Sequence, residues 1–333
     1  MIRIGIVPRA NKLGGGPGSF QKKLIAGLLQ RGIAVSENLQ HGPFDAILVI
    51  NCPGKEEILP LLYWKRRKVR IVQRLGIPLF IHRLFQVGVK GYLLRELWNL
   101  HMRFIHYRIA DHIIYQTEYC HKVWINRYGA EKLPYSIIPN GVDLNVFSPG
   151  QDKYRSSAKV VVISVEGQQG LDPYDTALNL TLTLRKYHGL NAELLIFGIP
   201  WNGYDKKLLP FPFVKFMGLK QNHELPFYYR GAHLYVFTEV TAACPNAVIE
   251  AMACGTPVIG WAVGPLPEMV DGGGRCVPVG SGLVENRPIE LLAEAAQQIL
   301  RSHSTFSQKA REVAETRFGV DTMIESYINV LIP

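Results

Sequence analysis

Apolar positions along the chain follow two spacings. Apolar runs at 2–7, 46–50, 69–73, 112–116 and 135–139, with a weaker one at 33–36, predict strands. Longer stretches with apolar residues three and four apart separate most of them. Strands that are apolar on both faces are buried on both faces, so this alternation predicts a parallel sheet covered by helices. A polar, non-periodic stretch at 151–157 interrupts the pattern, and the same alternation then restarts. Strands are expected at 159–164, 192–197, 214–217 and 233–237, and again from 256 and at 275–279. Helical periodicity covers 173–187, 222–230, 288–301, 304–317 and 321–331, with a helical turn at 265–270. The expected fold class is α/β, with two doubly wound domains facing across a cleft.

Composition narrows the class without changing the architecture. A chain of 333 residues with 47% hydrophobic and 19% charged residues has material for two cores, which argues against disorder. No apolar run reaches the roughly 18 residues of a membrane-spanning helix. The apolar start, Met1 to Pro8, is too short for a signal peptide and reads as the first strand. The five cysteines form no CxxC pair, which fits a reducing, cytoplasmic setting and small core residues. A net charge of +10 calls for an anionic partner. Zinc spacing, RNA-binding aromatic motifs and a basic tail are all missing, so nucleic acid is not expected.

Three stretches carry candidate chemistry. The first runs from Cys244 through Pro245, Asn246, Ala247 and Glu250 to Gly255, after the strand at 233–237. Proline suits a first helical turn, glycine a helix end, and the N-terminus of a helix after a parallel strand attracts anions. One carboxylate, Glu250, rides among apolar neighbours there, placed to accept hydrogen bonds from ligand hydroxyls. The second stretch follows the first strand and has four glycines in the five positions 14–18, which would let a ligand approach the backbone. It matches neither the Walker A spacing nor GxGxxG. The third is a helix over about 85–108 with Val89, Leu93, Leu97, Leu100 and Phe104 on one face, decorated by Lys90, Arg95, Arg103 and Arg108. Two readings stand for it: a packed helix with a solvated basic side, or a docking surface for an anionic membrane or a lipid-linked acceptor.

Together, Gly14 to Phe20, Ile138 to Asp143, His223 to Ala232, Glu250 to Ile259 and Gly264 to Glu268 resemble, in order, the family 4 retaining glycosyltransferases of GT-B fold. The resemblance implies two Rossmann-like domains. Residues 1–148 plus 319–333 would form the acceptor-side domain, with the last helix crossing back, and 149–318 the nucleotide-sugar-binding domain. It implies a nucleotide diphosphate sugar donor, a glycan or lipid-linked acceptor, and no metal or other cofactor. Glu250 would contact the ribose, Gly15 and Gly16 the donor phosphates, and the backbone at Cys244, Pro245, Asn246 and Ala247 the sugar or diphosphate. The family's first glutamate of the pair is replaced by Ala242, with Glu239 three residues earlier as a substitute. The family's arginine and lysine after the first strand of the second domain are also missing: that loop carries Glu166 and Asp172 and no cation. Arg74, Arg9 or Lys12 would then supply positive charge. His82 lies close in sequence to the position of the family's sugar-side histidine. The activity expected is retaining hexosyl transfer, in the cytoplasm or on the inner face of a membrane. The alternatives are an impaired relative acting as a binding or partner subunit, and a nucleotide-sugar epimerase.

Overall fold

A computed structural model describes residues 1–9, 15–78, 84–165, 174–198, 210–237, 239, 242–279 and 288–333. The chain divides into two compact units, Met1–Asn140 with Val320–Pro333, and Gly141–Gly319. The first unit runs β1 (Arg3–Val7), α1 (Gly15–Gln30), β2 (Ala34–Ser36), β3 (Ala46–Ile50), α2 (Ile58–Arg66), β4 (Arg70–Leu75), α3 (Leu84–Arg108), β5 (His112–Tyr115), α4 (Glu118–Tyr128) and β6 (Tyr135–Ile137). The second runs β7 (Val160–Val165), α5 (Asp175–Lys186), β8 (Ala192–Phe197), β9 (Val214–Gly218), α6 (Leu225–Gly231), β10 (Leu234–Phe237), α7 (Asn246–Ala253), β11 (Val258–Trp261), α8 (Leu266–Val270), β12 (Gly274–Val277), α9 (Ile289–Arg301) and α10 (His303–Arg317). The last helix, α11 (Val320–Leu331), belongs to the first unit.

Each unit is built on a six-stranded sheet, ordered β2-β1-β3-β4-β5-β6 in the first and β12-β11-β10-β7-β8-β9 in the second. The pairings among the described strands are parallel. Strand order reverses between β1 and β3 in one sheet and between β7 and β10 in the other. In open α/β sheets these switch points open a crevice at the carboxyl ends of the strands, where ligands bind.

The helix α11 is part of the first core. Its Met323, Ile324, Tyr327 and Leu331 are buried with Phe20, Leu24 and Leu28 of α1. Gly27 permits the approach, since a methyl group there would overlap Ile324. Arg31 then pairs with Asp321 at 3.0 Å and Glu325 at 2.6 Å. Near the other boundary, the amide of Val142 donates to the Phe318 carbonyl at 2.8 Å, and Phe147 is buried in the second unit's core.

A buried carboxylate in the connection after α4 ties α3 and β5 together. Glu131 accepts from the Tyr115 hydroxyl at 2.6 Å and from the amides of Lys132 and Leu133 at 2.8 and 2.9 Å. His106 Nε2 lies 3.0 Å from it. Burial alone would raise this carboxyl's pKa, but the hydrogen bonds from His106, Tyr115 and the Leu133 amide outweigh it and bring it down to about 2.

Candidate functional site

The strand β10 ends at the second switch point, and the chain beyond it carries most of the expected site residues. Glu239 and Ala242 are both half-buried in the connection, with 238 and 240–241 outside the described residues. Cys244 is buried, and Pro245 sits at the cap of α7 with φ −69° and ψ 120°. Proline was expected inside the first turn. It stands one residue earlier, still helix-compatible in φ but extended in ψ, so that Asn246 opens the helix. The first backbone bond onto the cap is from the Ile249 amide to the Pro245 carbonyl, 3.5 Å. The amides of Asn246 and Ala247 therefore lie ahead of the helical ladder, on the positive end of the helix dipole.

The far end of α7 is closed as its sequence predicts. The Thr256 amide donates to the Ala251 carbonyl and the Gly255 amide to that of Met252, each 2.9 Å, with Gly255 at φ +78°. This is the Schellman pattern, and the left-handed position explains the glycine. Arg311 of α10 adds a 2.7 Å bond to the Ala253 carbonyl and a 2.8 Å bond to that of Phe147. Both ends of the short helix are held, so its one carboxylate is positioned by the fold.

Glu250 is only 4% exposed. Asn222, in the 3-10 turn between β9 and α6, donates from Nδ2 to its Oε1 at 3.0 Å. The Tyr229 hydroxyl is also buried, and burial first, then the charge of Glu250, push that phenol's pKa well up. A fixed acceptor of this kind suits a pair of hydroxyls, because an ionised carboxylate has about four lone-pair sites. Asn222 escaped the sequence reading. Its only signal was a polar run, Gln221-Asn222-His223, where the expected helix should have begun. Replacing Asn222 with alanine is expected to weaken binding of the expected nucleotide donor by about three- to tenfold, the range of one ordinary hydrogen bond, because Glu250 itself stays in place. Calorimetry on a variant with an unchanged unfolding profile checks it, and unaltered affinity would leave Asn222 with no part in orienting Glu250.

Three expected site residues belong to the first unit. Gly15 and Gly16 form the start of α1, next to the first switch point, Gly15 at φ +57°. A Cβ at either would meet no described atom within 4 Å, so packing does not require glycine at Gly16. Arg74, on β4, is 1% exposed. Its Nη2 donates to Gln116 Oε1 and Asn140 Oδ1, both at 2.7 Å, and its guanidinium lies 3.8 Å from the Phe20 ring centroid. Its Nε and Nη1 are buried with no hydrogen-bond partner among the described residues. Arg9 is exposed, whereas Lys12, His82, Glu166 and Asp172 lie outside the described residues.

The chain has relatives among known proteins. Residues 158–302 match the family model described as glycosyl transferases group 1. The match lies within the second unit and covers most of it. The chain is 26% identical over 228 residues to a probable sucrose-phosphate synthase of Thermosipho melanesiensis, covering 65% of this chain and 51% of that one. It is 26% identical over 241 residues to the D-inositol 3-phosphate glycosyltransferase of Mycolicibacterium smegmatis, covering 66% and 52%. The chain thus spans about half the length of the curated relatives it matches. Among solved structures it resembles the sucrose-phosphate synthase of Thermosynechococcus elongatus, with TM-score 0.73, 18% identity and 99% and 98% of the two chains covered. It also resembles Anabaena HepE in complex with UDP, with TM-score 0.71, 17% identity and 99% of each chain covered. The fold is therefore that of two Rossmann-like domains of GT-B type.

Proposed function

We propose that this chain moves a sugar from a nucleotide diphosphate donor to a glycan or lipid-linked acceptor with retention at the anomeric carbon, at the cytoplasmic face of a membrane. Glu250 carries the reading: a buried, oriented carboxylate on the helix after the switch-point strand is placed to accept the ribose hydroxyls. The amides of Asn246 and Ala247 would face the diphosphate. Support comes from the group 1 match, from the relatives' names, and from the HepE structures with UDP and with UDP-glucose. The five cysteines, all free thiols, support the cytoplasmic setting.

In the proposed reaction, the bond between the anomeric carbon and the β-phosphate oxygen breaks and its electron pair stays on the diphosphate. The acceptor oxygen bonds to that carbon on the same face and passes its proton to the departing phosphate oxygen. No protein nucleophile is needed. The chain's part is to bind, orient and stabilise growing negative charge with preorganised donors.

Ala242 favours a second reading. An alanine where the family has the first glutamate of its pair cannot hold a sugar hydroxyl, which suits a relative that binds nucleotide sugar without transferring it. A panel of nucleotide sugars differing in base and sugar, read by thermal stabilisation and donor hydrolysis, separates the two. A cognate donor at a hundred times its Kd is expected to stabilise by about 2.7 kcal/mol. Stabilisation with slow hydrolysis sustains transfer, whereas stabilisation without turnover on any acceptor favours the binding subunit. No stabilisation by any donor sinks both.

A further inference from the structure

The helix α3 presents its apolar side to solvent. Gly88, at φ +67°, interrupts it, and from Val89 onward the helix is regular. Val89, Leu93, Leu97, Leu100, Phe104 and Tyr107 are exposed, the first four by 67, 58, 60 and 53%. Their spacings of three and four place them along one stripe of about five turns. Two polar residues of the same helix lie inside. Asn99 is 1% exposed, and so is His106, which faces Glu131. The fold has therefore not used the apolar stripe. A contiguous exposed apolar strip of this length on a soluble surface marks an interaction site.

Charge selects the occupant. Lys90 and Arg108, both exposed, are eighteen residues apart, about five turns, and share one edge of the stripe. The acid on α3, Glu96, is paired with Arg127 at 2.5 Å. A second copy of the chain would have to bury like against like. Antiparallel pairing lays Lys90 over Arg108, and parallel pairing lays each cation over its own copy. Both are repulsive, and α3 brings no unpaired acid to offset them. Anionic lipid headgroups supply the missing negative charge, and acyl chains take the apolar stripe.

We propose that α3 is a membrane-docking helix that lies in the interface of an anionic leaflet, with its leucine and aromatic stripe inserted and Lys90 and Arg108 on the headgroups. The inference deepens the membrane side of the proposed function and uses none of its chemistry, so it can fail while transfer stands. The structure also redirects the obvious test. Arg95 and Arg103 are only partly exposed, and the Arg103 guanidinium lies 4.7 Å from the Tyr128 ring centroid, so Lys90 and Arg108 are the charges to remove.

The experiment is flotation of the full chain, without donor or acceptor, on vesicles of phosphatidylcholine alone or mixed with phosphatidylglycerol. Binding is expected to the mixed vesicles, weakening with salt, and to fall about fivefold for each of Lys90→Ala and Arg108→Ala. The double variant Leu97→Ser with Phe104→Ser should lose binding while keeping its circular dichroism and nucleotide affinity. Equal binding to both vesicles, or stripe variants that still float, overturns the proposal. So does a concentration-dependent dimer in sedimentation velocity that the stripe variants dissolve while vesicle binding is unchanged.

Discussion

Replacing Glu250 with alanine is expected to lower affinity for a nucleoside diphosphate by about 10- to 100-fold, with the chain still folded. One or two hydrogen bonds to a charged acceptor correspond to roughly 1.5–3 kcal/mol. The second unit keeps its core because Val248, Ile249, Ala251 and Met252 on the same helix stay packed. Glu250→Gln separates shape from charge. It keeps the side-chain volume but removes the charge that Asn222 now faces at 3.0 Å, so it should fall between wild type and alanine. Calorimetric titration with the nucleoside diphosphate is the measurement, and unchanged affinity in the alanine variant would remove Glu250 from the site.

The second large effect is on stability. Glu131→Gln is expected to destabilise the first unit by about 3 kcal/mol near neutral pH, because the native carboxyl has a pKa of about 2 against an ordinary 4.5. A carboxyl depressed in the folded state contributes its full stabilisation above the unfolded value. The contribution is lost as pH falls from about 4.5 towards about 2, where the native carboxylate takes its proton. Wild type should therefore lose stability across that window, and the glutamine variant should lose less. Urea unfolding at several pH values, followed by the fluorescence of Trp124, 5.6 Å from the His106 ring, reads both. Parallel curves for the two proteins would assign the acid sensitivity elsewhere.

The candidate site was legible in unequal parts. Glu250, Pro245 and Gly255 could be read because a short helix announces its ends locally, through a restricted φ, a missing N–H and a left-handed residue. Asn222 could not be read, because its partner is 28 residues away and meets it through β10 and α6, by packing alone. Arg74 showed as a cation at the end of a strand. Its burial beneath Phe20, with Gln116 and Asn140 as partners, joins four segments that no local spacing connects.

The sequence by itself determined the elements and their class. Ala46–Ile50 and Ala192–Phe197 are strands with every residue buried, and runs that are apolar throughout, or apolar but for Glu193, predicted them to the residue. Burial on both faces leaves that mark in the chain whatever the rest of the fold does. Tertiary structure alone decided strand order, and with it the switch points where α1 and α7 begin, because pairing partners are chosen by long-range packing. It also decided the outlook of α3. A spacing of three and four says that a helix has an apolar face, but the spacing is the same whether that face meets a core or water, and only the neighbours show which.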